Sequence, residues 1–201
     1  MTNSNIIYVT LRLRAEELEK LDSDICDKIY ELTQKTLSNN ETAYHRIAAW
    51  VDAGSRTLSV ELFTTNYDLL MEQALEDFRV PYFDGFAGVR KPFFDLRAME
   101  EDKLPPRWAR LWKLHGSINW FQDSNGAVFR GTSGEAKARR VIHPSHLKFD
   151  ESRRMPYLAM IDRLRAFLKQ PSSVLVICGY SFRDDHITKL SYRGFKPIRP
   201  R

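Results

Sequence analysis

The chain has 201 residues, 43% of them hydrophobic and 28% charged, with 31 Lys plus Arg against 26 Asp plus Glu. That is enough chain for one domain with a real core, and too apolar a composition for a disordered polyelectrolyte. The longest unbroken apolar run, Val174 to Cys178, is far too short to span a bilayer, and two cysteines cannot supply a four-cysteine zinc site.

No basic stretch followed by an apolar core opens the sequence, so no signal peptide is expected. Cys26 and Cys178 are read as buried thiols of a reducing cytoplasm. The net charge of +5 suits an anionic ligand without choosing among ligands. Part of that excess lies in small groups (Lys137, Arg139 and Arg140; Arg153 and Arg154; Arg193, Lys196, Arg199 and Arg201), which read as solvated surface before they read as a nucleic-acid patch.

Along the chain, Ile6 to Leu13 reads as a short strand or a lead-in. An amphipathic helix follows, with Leu18, Leu21, Ile25, Ile29 and Leu32 on its apolar face, broken by Ser38-Asn39-Asn40. Thr42 caps a second helix carrying Ile47, Ala48 and Val51, with His45 facing solvent and Gly54 as the stop. From Thr57 to Thr65 the period is two: Leu58, Val60 and Leu62 alternate with Ser59, Glu61 and Phe63, a strand. After Asn66 the period becomes helical, through Tyr67, Leu70, Met71, Ala74, Leu75 and Phe78. A strand turning directly into a helix is where open α/β sheets hold ligands. Thr65 and Asp68 also form a T-x-x-D capping pattern, which explains them without any ligand.

Tyr82 to Pro106 is irregular and aromatic, a packed loop or small insertion over a pocket. Arg110 to Leu114 reads as a buried strand running into His115-Gly116-Ser117-Ile118-Asn119-Trp120. Asp123 to Gly126 has hairpin chemistry ahead of Ala127-Val128-Phe129. Val141 to Pro144 reads as a short strand, and Leu158, Ile161, Leu164 and Leu168 mark a helix ending before Pro171. Ser173 to Cys178 is the clearest buried strand, because parallel strands covered on both faces are continuously apolar. It opens into Gly179-Tyr180-Ser181-Phe182-Arg183-Asp184-Asp185-His186-Ile187. Helices alternating with buried strands predict an α/β fold with a mostly parallel sheet and flanking helices.

Three strands therefore end in tight polar turns: Thr64-Thr65-Asn66-Tyr67-Asp68, Leu114-His115-Gly116-Ser117 and Gly179-Tyr180-Ser181-Phe182. In this order and spacing they resemble the SIR2-like domain, the bacterial sirtuin relatives of anti-phage defence systems. The first looks like that family's T-x-N-x-D segment, the second like its catalytic histidine motif. The third, with Asp184 or Asp185, resembles its G-[YT]-S nucleotide-contacting turn. Pro144 to Lys148 sits where the family often places P-x-x-x-K.

The resemblance implies a Rossmann-like fold and a cytoplasmic NAD hydrolase, in which NAD is the substrate and zinc is absent. Asn66 and His115 would be catalytic, converging on one ribose from separate strands. Thr65, Asp68, Gly116, Gly179, Tyr180 and Ser181 would contact the nucleotide. Ser181 and Asp184 also satisfy a capping pattern, and Asp68 is equally suited to starting its helix. His143, His146 and His186 lack metal-ligand spacing, and Trp112 and Trp120 are expected beneath the site. The implied partners are a second copy or a defence-system protein, with no membrane and no direct nucleic-acid contact.

The family's Gly-Ala-Gly-type phosphate loop has no match between Met1 and Thr57, where Gly54 is the first glycine. Residues 1–187 are thus expected to be a partial SIR2-like domain, incomplete at both ends, with its motifs in 57–187 and an irregular basic tail over 188–201. The alternative is a degenerate, non-catalytic binding or assembly module.

Overall fold

The computed structural model describes residues 14–101, 103–131, 155–184 and 187–190, and the backbone alone for 139–142. In chain order the elements are α1 (Ala15–Thr33), α2 (Ala43–Asp52), β1 (Glu61–Thr64), α3 (Leu70–Asp77), β2 (Tyr82–Phe83), β3 (Phe86–Ala87), β4 (Phe93–Phe94), α4 (Leu96–Glu101), β5 (Ala109–Lys113), β6 (Gly116–Gln122), β7 (Val128–Arg130), β8 (Arg139–Ile142) and α5 (Tyr157–Lys169). A further helical turn covers 187–190. The fold is mixed α/β: a parallel sheet of order β1-β5-β2 and an antiparallel sheet of order β3-β4-β7-β6-β8, with helices around them. The expected α/β class holds, as a Rossmann-like arrangement whose parallel part is short.

Side-chain alternation along β5 places two different cores on the two faces of the parallel sheet. Ala109 and Leu111 face a cluster with Ala48 and Val51 of α2, Met71, Ala74 and Leu75 of α3, and Leu62 of β1. Trp112, together with Leu114 just beyond the strand, faces the other way, toward Phe63, Phe83, Trp120, and Tyr157, Met160 and Leu164 of α5. With both faces covered, the parallel strands are apolar on both sides. Charged groups entering these cores are paired. Glu61 accepts two bonds from the Arg163 guanidinium, 2.9 and 3.0 Å, and a third from the Trp112 indole at 2.8 Å, which ties β1 to α5 and β5. Asp84 meets Arg130 at 2.9 Å and accepts a bond from the Phe86 amide.

Four local expectations are corrected. The segment 173–178 forms no strand ladder among the described residues; Val174 and Val176 are 79% and 83% exposed, so Cys178 is exposed as well. A continuous apolar run reports the environment a strand needs, and here no described strand lies against it. Helix α1 forms, but it docks through Cys26, Ile29 and Tyr30 against Ile118, leaving Leu18, Leu21, Ile25 and Leu32 exposed. His45 is buried because its ring serves the helix start. Its Nδ1 accepts from the Thr42 amide at 3.1 Å while Thr42 Oγ1 accepts from the His45 amide, the reciprocal bonding usually made with Glu or Gln. The irregular stretch after Tyr82 resolves into β2, β3, β4 and α4. His143, Pro144 to Lys148, Asp185, His186 and most of the 188–201 tail lie outside the described residues.

Candidate functional site

The site forms where β1 and β5, paired in parallel from Glu61–Arg110 to Thr64–Lys113, leave the sheet side by side. Pairing continues past the strand ends. The Leu114 amide donates to Thr64 O at 2.9 Å, the Ile118 amide to Tyr67 O at 3.0 Å, and Ser117 Oγ to Tyr67 O at 3.4 Å. The two exit turns are therefore laced together over several residues, and the positions of residues 64–68 follow those of 114–118.

A buried ion pair supports this lacing from below. Alternation puts Lys113 on the α3 side of the sheet, where its Nζ lies 2.9 Å from Glu72 Oε1 and also donates to the carbonyl of Asp68. The two side chains are 2% and 10% exposed. Burial pushes the Glu72 carboxyl upward, opposed by the Lys113 ammonium. Asp68 itself accepts from the Leu70 amide at 3.0 Å, so it opens α3 with its side chain and holds Lys113 with its carbonyl.

Above the turns lies a cavity of about 290 Å³ lined by Thr65, His115, Gly179, Tyr180, Ser181, Arg183 and Asp184. Five sequence-derived candidates thus meet at one place, one just past β1, one after β5, and three from the Gly179 turn. Gly179 has φ +68°, and a Cβ built on it would meet nothing within 4 Å, so one wall of the cavity is bare backbone. Phe182 also has positive φ, at 56°, a conformation that costs a residue with a large side chain. The tight turn this makes brings Asp184 back toward β5.

His115 Nε2 lies 2.9 Å from Asp184 Oδ2, with the two side chains 16% and 14% exposed. Asp184 Oδ1 accepts from the Ile187 amide at 3.3 Å, and the Asp184 carbonyl accepts from the Tyr180 hydroxyl at 3.2 Å. The carboxylate thus starts the 187–190 turn itself, rather than answering a cap at Ser181 as the S-x-x-D pattern predicts, and touches the histidine with its other oxygen. Tyr67 packs its ring 6.3 Å from that of His115; burial, then the Asp184 charge, push its hydroxyl up to about 12, so it stays protonated near neutral pH. Trp112 and Trp120, each 1% exposed, pack in the cluster that also takes Leu114, Ile187 and the cavity-lining Tyr180.

Three candidates stand apart from the lining. Asn66 is exposed, with its Nδ2 3.5 Å from the Tyr44 hydroxyl and its amide donating to Thr64 Oγ1. Asp68 faces α3. Gly116, at φ +92°, opens β6 and lets the chain turn immediately after His115. Two lining features were not legible beforehand. No motif singles out Arg183, and the His115–Asp184 contact joins positions too far apart in sequence for any local pattern.

Among the described residues, no group of His, Cys, Asp and Glu is arranged to hold a metal ion, and no helix is long and apolar enough to cross a membrane. No curated protein sequence matches the chain. Residues 60–193, two-thirds of its length, match the family model of the SIR2-like domain. That span takes in every motif at the cavity: the β1 exit, His115 and the Gly179 turn. The chain belongs to the SIR2-like domain family, sirtuin relatives that bind NAD.

Proposed function

We propose that this domain cleaves the bond between nicotinamide and ribose in NAD+, as an NAD+ glycohydrolase of a bacterial anti-phage system. The observation that carries this reading is the meeting of Thr65, His115 and Gly179–Ser181 around one cavity at the carboxyl end of β1 and β5. A volume of about 290 Å³ falls just short of the roughly 300–1,000 Å³ of small-molecule pockets. It suits the nicotinamide riboside end of the dinucleotide, with Arg183 at the rim as a cation for the pyrophosphate.

The chemistry is modest, because the leaving group is already cationic. The C1′–N bond breaks with its electron pair going to the pyridinium nitrogen, which becomes neutral nicotinamide, and an oxocarbenium-like sugar is left behind. A water oxygen bonds to C1′, and its proton passes to His115 as general base. Thr65 and Ser181 offer hydroxyls to the ribose, while Tyr180, whose hydroxyl donates to the Asp184 carbonyl, offers its ring. Asn66 lies outside the cavity lining, its Nδ2 3.5 Å from the Tyr44 hydroxyl, so its proposed role requires the side chain to leave that contact. Asp68 and Gly116 serve by shaping the two turns.

The test is nicotinamide release from NAD+ by the full chain and by its Asn66→Ala and His115→Ala variants. Both variants are expected to lose turnover while keeping the parent's melting temperature; turnover unchanged in both removes the mechanism.

A second reading, a binding or assembly module without catalysis, is favoured by the exposed apolar side chains of Val174, Val176, Leu18 and Leu32. Calorimetry separates the two, since absence of NAD binding by the folded protein supports the module.

A further inference from the structure

We propose that Asp184 is the positioning residue of His115, selecting the tautomer in which the ring proton sits on Nε2 and Nδ1 is left to accept a proton. The assignment of His115 as base rests on the function proposed above; the assignment of the tautomer rests on geometry alone.

The geometry has three parts. The Nε2–Oδ2 distance of 2.9 Å is that of a charge-assisted hydrogen bond, and both side chains are mostly withdrawn from water, where such a bond is least screened. A carboxylate accepts only, so it requires the hydrogen to be on Nε2. The neutral ring then carries its lone pair on Nδ1, and proton transfer from water makes an imidazolium whose charge lies beside the Asp184 carboxylate. This is the division of labour of a histidine–carboxylate pair, with the two ring nitrogens exchanged relative to the serine-protease arrangement.

The second part is what fixes the carboxylate. Its other oxygen accepts from the Ile187 amide, and its own carbonyl is engaged by the Thr188 amide at 2.9 Å and the Tyr180 hydroxyl at 3.2 Å. Asp184 is therefore anchored at the start of the 187–190 turn, and only its Oδ2 is directed at the ring. The third part is the Tyr67 ring, which packs on the imidazole and hinders its rotation. A residue whose sole task was to cap a helical turn would not need the second oxygen held 2.9 Å from a histidine on another strand exit.

The experiment has one readout that needs no turnover. Long-range ¹H–¹⁵N correlation spectra of the parent, with His115 assigned by the loss of its signals in His115→Gln, report which ring nitrogen carries the hydrogen. The Nε2–H tautomer is expected in the parent; the Nδ1–H tautomer as the dominant form overturns the proposal without any variant being made. Asp184→Asn is expected to mix the tautomers and to lower kcat for nicotinamide release by roughly 100-fold or more, with KM little changed. Asp184→Glu is expected to restore part of the loss. A folded Asp184→Asn protein with parental tautomer and kcat overturns the proposal. If no version of the protein releases nicotinamide, the glycohydrolase reading fails, while the tautomer spectra still decide the role of Asp184.

Discussion

Replacing Lys113 with Met keeps the length of the side chain and removes its charge, and the structure sets the consequence. Glu72 would keep a buried carboxyl whose Oε2 has no hydrogen-bond partner among the described residues and whose Oε1 would have lost its own. The Asp68 carbonyl would lose the Lys113 ammonium as well. Breaking a buried pair from one side costs roughly 3–5 kcal/mol, and at roughly 2–4 °C per kcal/mol for a chain of this length the melting temperature should fall by about 10 °C. Pairing the change with Glu72→Leu removes the stranded carboxyl, so the double variant should recover more than half of that loss. Scanning calorimetry of the parent, both single variants and the double variant closes the cycle. A Lys113→Met protein as stable as the parent, or a double variant no better than the sum of the singles, would refute the claim that this pair holds the two exit turns together.

Three further outcomes follow from the same coordinates. Glu61→Ala removes the acceptor shared by the Arg163 guanidinium and the Trp112 indole, and should lower stability by roughly 2 kcal/mol, measured by urea unfolding. Gly179→Ala meets no neighbouring atom but must hold φ +68°, so it should cost roughly 1 kcal/mol while disturbing the bare wall of the cavity, read as a rise in KM for NAD+. Burial, outweighing the Arg130 guanidinium, holds the Asp84 carboxyl above its ordinary value. Its contribution is therefore fully present below the unfolded-state value of roughly 3.9 and is lost as pH rises through the folded one. Asp84→Asn should flatten that decline in a pH series of melting temperatures, and an unchanged slope would contradict it.

Much of the site was readable before the fold because its determinants are local. The change of period at Asn66 marks β1 and α3, and the polar turns after Leu114 and Cys178 mark the other two arms of the cavity. The errors come from residues whose surroundings are set at a distance. Ser173 to Cys178 has the composition of a covered strand, yet burial depends on what other segments bring against it. His45 reads as a surface residue because nothing in its neighbours announces that its ring will bond the Thr42 amide. The apolar stripe of α1 was legible as a stripe, but which flank meets Ile118 was not. The pairing of His115 with Asp184, and of Lys113 with Glu72, depends on which faces and turns the fold brings together, which no single stretch of sequence specifies.

The strict alternation along β5 carries a vulnerability of its own. One extra residue placed between Ala109 and Lys113 would rotate everything downstream by half a turn of the pleat. The ammonium of Lys113 would then be thrust among aromatic rings, the indole of Trp112 would confront the Glu72 carboxylate, and His115 would be carried off its partner. Loops elsewhere in the molecule have latitude to lengthen, but this five-residue strand has none, and indels within it should behave as loss-of-function lesions.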